Sequence, residues 1–315
     1  MVDTIHIQFT VPLSWNIPKE ILEETKKGNK GLVIDPLNLK HKNLHIKISP
    51  RQNFKVVTVF GSLHKFYHRG INYNDFEYKE VKRALIILGA NLSLNIKDGR
   101  ITRLDFGFNI IVNQVPEIYL NKFMNASRFT KTIVAPYSTV MFTKGKIGLV
   151  FYNKSKKLKK QRTIKIPSEI KEINIIRYEV RLFKLLAKQF HIDREHLLVS
   201  DLFVKKNYRQ MIKLWYNQYL LIQKKKDLSN YLSFDSVDKF LLCQGIDKIG
   251  GIEKLENIYY DFYQSKGLPQ ARIDYHLNKL KNLLSTEKMN IKSILYLNSK
   301  LKSRKKNELK KLSSI

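Results

Sequence analysis

Alternation of polar and apolar side chains within the strand candidates 101–112 and 173–183 constrains the fold of this chain more than any other feature. Successive side chains of a β-strand point to opposite faces, so each segment predicts a strand with one polar and one apolar face. The two polar faces carry Arg103, Asp105, Gly107 and Asn109, and Ile175, Arg177, Glu179 and Arg181. Such strands are typical of an antiparallel sheet that packs on a core through one face.

Other patterns divide the chain into two parts. Strand-like runs occupy three further segments, residues 43–49, 54–61 and 147–152. Residues 75–88 have the spacing of a helix with Asp75 as its N-cap. From residue 207 onward the spacing is helical. The sequence therefore predicts an α+β domain over residues 1–205, built on an antiparallel sheet, and a C-terminal helical domain over residues 206–315.

The predicted helical domain is compatible with a helix-turn-helix DNA reader. A helix over residues 252–263 ends near Gly267 and Pro269, and another follows. The second helix carries four side chains suited to DNA: Arg272, His276, Lys279 and Lys281. Spacing alone favours a plain corner of a helical bundle over a DNA reader. Residues 300–312 are predicted to form a basic, frayed tail.

The charge of the chain favours a polyanionic partner. There are 58 Lys and Arg against 27 Asp and Glu, a formal net charge of 58 − 27 = +31 at pH 7. Because this charge is spread along the chain and no amphipathic anchor stands out, nucleic acid is favoured over a membrane surface. The most apolar run, residues 84–94, is far below the roughly 20 residues of a bilayer crossing. With one cysteine, Cys243, and no visible secretion signal, we expect a cytoplasmic protein.

The polar strand faces can be combined into a phosphodiester site if they share one side of one sheet. Asp105, Glu179 and His45 would then supply oxygen and imidazole ligands for Mg²⁺ or Mn²⁺. Tyr152 and Lys154 would lie beside them. A divalent ion polarises the scissile phosphate, and a tyrosine hydroxyl attacks in line, which leaves a covalent phosphotyrosine and a free 3′-hydroxyl.

The same faces have a simpler interpretation. Alternating Arg and Glu on an exposed sheet face are ordinarily solvated ion pairs, each contributing about 0–1 kcal/mol. Tyr152 is one of 16 tyrosines, a residue type that packs well in strands. His45 is more often a surface histidine than a ligand. Spacing alone favours this interpretation.

Five short segments, in order along the chain, resemble a known family. They are HIKISP (45–50), VFGS (59–62), ITRLDFGF (101–108), LVFYNK (149–154) and IIRYEVRL (175–182). Together they resemble the rolling-circle replication initiators of filamentous phages, the gene II protein type, and more distantly plasmid replication initiators. The resemblance spans roughly residues 43–190, and its order and spacing reverse the preference for plain ion pairs.

The resemblance implies a role for each matching residue. Tyr152 matches the nicking nucleophile and Lys154 the lysine of the same Tyr-x-Lys motif. Asp105 and Glu179 match acidic positions assigned to the metal. The family's arginines match Arg103 and Arg177, which would clamp phosphate or orient the carboxylates. The implied fold is an HUH-like nicking domain, and the implied setting is a bacterial host.

Three departures from the family stand out. The wider group of tyrosine nickases binds its metal with a His-hydrophobic-His pair, and the 315 residues contain none, so acidic ligands would have to replace it. His45 stands where the phage protein carries an acid. Lys156 and Lys157 follow the Tyr-x-Lys motif where the family often has Glu.

A basic run directly follows the candidate nucleophile. Residues 153–165 contain no acid, and the DNA-binding candidates among them are Lys156, Lys157, Lys159, Lys160 and Arg162. Such charges release counterions from DNA and position it without reading its sequence.

The sequence as a whole predicts a replication initiator for a small circular phage or plasmid genome. It would nick and religate single-stranded or hairpin origin DNA and would also bind duplex DNA. Because the sequence has no ATP-binding Gly-x-x-x-x-Gly-Lys-Ser/Thr loop, it would rely on a host helicase, and a host polymerase would copy the DNA. Two alternatives remain open: a DNA-binding regulator without enzymatic activity, and a mobilisation relaxase.

Overall fold

The computed structural model describes residues 1–28, 35, 37–134, 138–160, 166–224, 252–267, 269–285 and 288–314. Arg162 and Cys243 lie outside these residues. Among the helices described, none combines the length and apolar character needed to cross a membrane.

A large antiparallel sheet organises the chain. Its ten described strands are β1 (Val2–Val11), β2 (Asn38–His41), β3 (Leu44–Pro50), β4 (Lys55–Ser62), β5 (Arg100–Val112), β7 (Thr130–Val134), β8 (Thr139–Lys144), β9 (Ile147–Asn153), β10 (Asn174–Leu182) and β11 (Leu197–Leu198). The order across the sheet is β2-β3-β4-β1-β5-β10-β9-β8-β7, and β11 pairs with β5. A two-stranded sheet joins β6 (Phe123–Ala126) to β12 (Ile222–Lys224). The predicted α+β class with an antiparallel sheet is confirmed.

The predicted alternation sets the pairing at the centre of this sheet. Arg177 on β10 lies opposite Asn109 on β5 and opposite Tyr152 on β9, so the three side chains share one face. Glu179 lies opposite Gly107. A Cβ at position 107 would lie 2.0 Å from the carbonyl oxygen of Tyr178, so only glycine allows the two strands to approach this closely.

Helices complete the first part of the structure. They are α1 (Lys19–Gly28), α2 (Leu63–Tyr67), α3 (Tyr78–Leu92), α4 (Pro116–Leu120), α5 (Lys154–Lys159), α6 (Ser168–Glu172), α7 (Leu186–Gln189), α8 (Val199–Leu202) and α9 (Lys205–Leu220). The helix predicted over residues 75–88 begins later, at Tyr78, with Glu77 as its N-cap instead of Asp75. The reason is a capping hydrogen bond, in which the Glu77 N–H donates to the Glu80 carboxylate at 2.8 Å.

The apolar face of the sheet packs on α9 through large aromatic side chains. The Trp215 indole N–H donates to the Tyr178 carbonyl at 3.1 Å, and the Tyr178 hydroxyl donates to the Trp215 carbonyl at 3.0 Å. The Tyr178 ring also stacks on Phe151 at 4.1 Å. Both tyrosine and tryptophan are fully buried with their polar atoms paired, which removes the cost of burying them.

The described chain divides into two compact units, residues 1–223 with 299–315, and residues 224–298. This differs from the predicted division between residues 205 and 206, because α9 packs on the sheet. The predicted frayed tail is also different: it belongs to α12 (Lys288–Ser313) and returns to the first unit. There Lys311 donates to Glu77 at 2.7 Å, and the Arg304 guanidinium lies 4.6 Å from the Phe108 ring.

The second unit contains the segment predicted as a helix-turn-helix reader. Its further helices are α10 (Ile252–Ser265) and α11 (Gln270–Ser285). Gly267 between them has φ of 63°, a conformation that suits glycine. The His276 ring of α11 stacks on Tyr263 of α10 at 5.4 Å. DNA reading by α11 stays a prediction.

Candidate active site

Arg177 lies at the centre of a buried cluster of polar side chains. The cluster is on the polar face of the sheet, the face opposite α9. Arg177 is 4% exposed and donates to the Asp3 carboxylate at 3.2 Å, to Glu179 at 3.3 Å and to the Asn109 amide oxygen at 3.3 Å. Burial would lower the pKa of this guanidinium, but Asp3 and Glu179 raise it. Its Nε and both terminal nitrogens each donate to a protein acceptor, and the predicted role of Arg177 in DNA binding stays a prediction.

Asp3 joins the cluster because β1 is irregular near its start. The register between β1 and β5 shifts between Val2 and Ile5, opposite Asp105 and its neighbours. The Ser62 hydroxyl donates to Asp3 at 2.6 Å. Burial alone would raise the pKa of Asp3, but Arg177 and Ser62 hold it well below its usual range, so the carboxylate is charged.

Glu179 connects the cluster to the candidate nucleophile. The Tyr152 hydroxyl donates to Glu179 Oε1 at 3.0 Å, and Arg181 donates to Oε2 at 3.1 Å. Burial and the Glu179 charge raise the pKa of the Tyr152 phenol well above its usual value. The phenol is therefore protonated in the resting site, and its proton already points at a carboxylate.

Asp105 forms the other acidic part of the site. Arg103 binds it through two hydrogen bonds, at 2.9 Å and 2.7 Å, and Arg181 Nε lies 3.6 Å from the same carboxylate. Burial raises the pKa of Asp105, while Arg103 opposes that rise. Arg181 thus lies between the two carboxylates that the sequence assigned to a metal.

The helix after Tyr152 brings positive charge to its ring. The Asn153 side chain accepts from the Lys156 N–H at 2.8 Å and so caps α5, while its amide donates to Glu117 at 2.9 Å. This fixes the start of α5 at Lys154, two residues after the tyrosine. The Lys157 ammonium lies 5.0 Å from the Tyr152 ring centroid.

Lys154 faces away from this charge and into the protein. It is 1% exposed, and its amine donates to the Asn72 side chain at 2.6 Å. Burial, followed by the positive charge of Arg177, lowers its pKa to about 7. Lys154 therefore titrates near neutral pH, far below an ordinary lysine.

A pocket of about 400 Å³ opens above Tyr152. Its lining within the described chain includes four cationic side chains and no carboxylate; the cations are Lys156, Lys157, Lys160 and Arg181. Lys159 lines a neighbouring pocket of about 340 Å³, which shares Lys156 and Lys160 with the first. Three of the DNA-binding candidates of the basic run thus line the same pocket as the candidate nucleophile, Lys159 lines the neighbouring pocket, and Arg162 lies outside the described residues.

His45 is not brought to the acidic residues. It is exposed on β3, and the order β3-β4-β1-β5 puts three strand spacings, about 14 Å, between it and Asp105. The predicted ligand set of Asp105, Glu179 and His45 therefore does not converge.

The remaining acids are of the right chemistry for a divalent cation but are already paired. Carboxylate oxygens are the donors that Mg²⁺ and Mn²⁺ prefer. Among the described residues, however, there is no group of three or more His, Cys, Asp or Glu placed to hold a metal ion. A cation bound by Asp105 and Glu179 would compete with Arg181 for the same oxygens.

Sequence reasoning missed two members of the cluster. The first is Asp3, whose strand alternates visibly in residues 2–11 but whose bulge leaves no trace in the spacing. The second is Asn72, in a segment without periodicity. Arg181 was visible on the polar face of its strand but was given no role.

No protein-family model matches the chain, and no curated protein matches it significantly in sequence.

Proposed function

We propose that the chain is a DNA nicking-closing endonuclease that initiates rolling-circle replication, with Tyr152 as its nucleophile. Two features of Tyr152 together support this proposal: its hydroxyl donates to Glu179, and the residue lines a pocket together with three lysines and Arg181. A phosphodiester is the anion that such a pocket suits, because its charge is matched by ammonium and guanidinium donors. The resemblance to phage initiators supports the same reaction.

In the proposed reaction one bond to phosphorus forms as another breaks. The Tyr152 oxygen attacks the scissile phosphorus, and the phenol proton passes to Glu179. The bond from phosphorus to the 3′ oxygen breaks with its electron pair, and that oxygen takes a proton from water. Glu179 then releases the phenol proton to the hydroxide left behind, so no net proton is gained or lost. The products are a 5′-phosphotyrosine and a free 3′-hydroxyl, and the reverse steps religate the strand without a nucleotide triphosphate.

Each remaining group of the site has a supporting role in this proposal. Arg181 and the lysines of α5 bind the non-bridging phosphate oxygens, whose charge grows during attack. Arg177 is itself held by Asp3 and Asn109, and it holds Glu179 in place. A bound Mg²⁺ or Mn²⁺, held by Asp105 and Glu179, would supply further positive charge at the phosphate.

The same proposal gives the chain its partners. Single-stranded or hairpin origin DNA and duplex DNA bind through the basic surface. A host helicase unwinds the duplex, and a host polymerase extends the 3′-hydroxyl. The rival function, DNA binding without chemistry, is favoured by one observation: Arg103, Arg177 and Arg181 neutralise the carboxylates of the site. A buried ion-pair network of this kind also occurs where it only specifies the fold.

Nicking of supercoiled circular DNA from the replicon that encodes the chain separates the two functions. With Mn²⁺, the wild type is expected to yield nicked circles that carry covalently attached protein, and EDTA is expected to abolish them. Tyr152→Phe is expected to form no adduct while it binds DNA within a few-fold of the wild type. Tyr216→Phe, a tyrosine on α9, is the matched control and should nick normally. Binding without nicking by the wild type would support the rival.

A further inference from the structure

A row of rings crosses the open face of the sheet away from Tyr152. His45 on β3 lies opposite Phe60 on β4, which lies opposite His6 on β1. The His45 and Phe60 rings are stacked, with centroids 5.1 Å apart and planes 12° apart. The His6 ring lies 5.4 Å from Phe60. Three flat side chains thus form one continuous strip on three neighbouring strands.

This strip faces outward. His45 is exposed, and Phe60 and His6 are half-buried, whereas the residues that alternate with them, among them Leu44, Ile46 and Val59, are buried. The outward residues of the next row, Lys47, Thr58 and Gln8, are likewise exposed or half-buried. This side of the row is therefore open to solvent, most of all at His45, whose ring ends the stack.

Positive charge borders the strip. The ring row continues to Arg103, which lies opposite His6, and the next row runs from Lys47 through Thr58 and Gln8 to Arg100. Lys47 and Arg100 are both exposed. Rings beside a row that ends in two cations suit a ligand that alternates flat apolar groups with negative charges, and a nucleic-acid strand with unpaired bases has that character.

We propose that His45, Phe60 and His6 form a stacking platform for unpaired bases of a single nucleic-acid strand whose phosphates contact Lys47 and Arg100. The role of the strand rests on the proposed function, in which origin DNA is single-stranded or folded into a hairpin. His45 then binds bases instead of a metal. Burial, together with Arg103, lowers the pKa of His6 to about 4, so its ring is neutral at physiological pH.

The platform is separate from the chemistry. Between His6 and Tyr152 lie three strand spacings across the sheet and six residues along β5, which together correspond to roughly 25 Å. Bases on the platform therefore belong to nucleotides several positions from the scissile phosphate. The platform is expected to affect DNA binding and not the rate of the bond-breaking step.

Three fluorescent probes test the platform: an oligothymidylate, an abasic oligonucleotide of equal length, and a duplex. All variants carry Tyr152→Phe, so that no cleavage interferes. His45→Ala and Phe60→Leu are each expected to weaken oligothymidylate binding about 5- to 160-fold, the range of one base stacked on an aromatic ring. Their affinities for the abasic probe and the duplex should match those of the parent.

The controls are Phe54→Leu, an exposed phenylalanine in the turn before β4, and His196→Ala; both should bind all three probes as the parent does. Unchanged oligothymidylate binding by His45→Ala and Phe60→Leu would overturn the proposal, and so would an equal loss for all three probes. If Phe60→Leu does not fold, His45→Ala at its exposed position decides the result. The assay measures binding and not cleavage. It therefore tests the platform even if the wild-type chain does not nick DNA.

Discussion

Glu179 receives hydrogen bonds from a phenol and two guanidinium groups, and that combination defines its role. The two arginines hold the carboxylate in place, with Oε1 3.0 Å from the Tyr152 hydroxyl, where it can accept the phenol proton. An amide at the same position would still accept hydrogen bonds but would not take a proton.

Glu179→Gln is therefore expected to lower the single-turnover nicking rate by about 10²- to 10⁴-fold, the usual contribution of a general base. DNA affinity should change little, because Glu179 is 4% exposed. Glu172→Gln, at an exposed position before β10, serves as the control. A rate within a few-fold of the wild type would show that the phenol proton leaves by another route.

Lys154 predicts a pH dependence of stability. Folding lowers its pKa from 10.5 to about 7, so between these values the unfolded chain binds more protons than the folded chain. The stability of the wild type then rises with pH across that window, by at most about 1.4 kcal/mol per pH unit, and the cost of burying the charge is fully present below pH 7.

Lys154→Met removes this effect. Urea unfolding at several pH values should show the wild type gaining stability relative to Lys154→Met as the pH rises from 7 to 10. The exposed Lys156→Met should run parallel to the wild type. A constant difference between wild type and Lys154→Met would mean that the amine keeps its proton throughout.

At the scale of elements, the pairing of β5, β10 and β9 makes the site. The alternation in residues 101–112 and 173–183 was enough to predict which side chains share a face, and the hydrogen bond between Tyr152 and Glu179 agrees with that prediction. Strand order was not predictable, since alternation contains no information about neighbours. This is why His45 was assigned to a cluster that lies three strands away.

Burial was also beyond the sequence pattern. A polar strand face predicts side chains that are exposed to solvent, yet Arg177 and Lys154 are almost fully buried. The segment around Asn72 and Tyr73 reaches both sides of this cluster, through Lys154 and through a hydrogen bond from Asn109 to the Tyr73 carbonyl at 2.9 Å. That segment has no periodicity, so its position follows only from tertiary packing.

The close approach of β5 and β10 can be tested at glycine. In Gly107→Ala the new methyl group would overlap the Tyr178 carbonyl, and we expect a loss of stability of about 1–3 kcal/mol or more. Gly148→Ala on β9 is the matched control, because its nearest neighbour would be the Phe183 ring at 3.5 Å. Equal midpoints of thermal unfolding for both variants would contradict the close approach.

For the whole molecule, the net charge of +31 makes DNA binding depend on salt, but the structure localises part of that dependence. Lys156, Lys157 and Lys160 line the pocket above Tyr152. Neutralising all three to Gln should reduce the slope of log K against log salt by about 2 for single-stranded DNA, at about 0.7 per phosphate contact.

A control of equal charge uses Lys79 and Arg83 on α3 and Lys302 on α12, which are exposed on helices outside the pocket lining. The same three changes to Gln there should leave the slope close to that of the wild type. If both triple variants reduce the slope equally, binding is spread over the surface and the pocket has no special share.

The most direct test of the central claim is the position of the covalent bond. The covalent adduct that forms when the protein nicks supercoiled DNA is digested with protease and nuclease. The nucleotide-bearing peptide is then located by mass spectrometry. The phosphodiester is expected on the oxygen of Tyr152 and to be absent from Tyr152→Phe. A nucleotide attached to any other tyrosine would contradict the assignment of the nucleophile and, with it, the proposed role of Glu179.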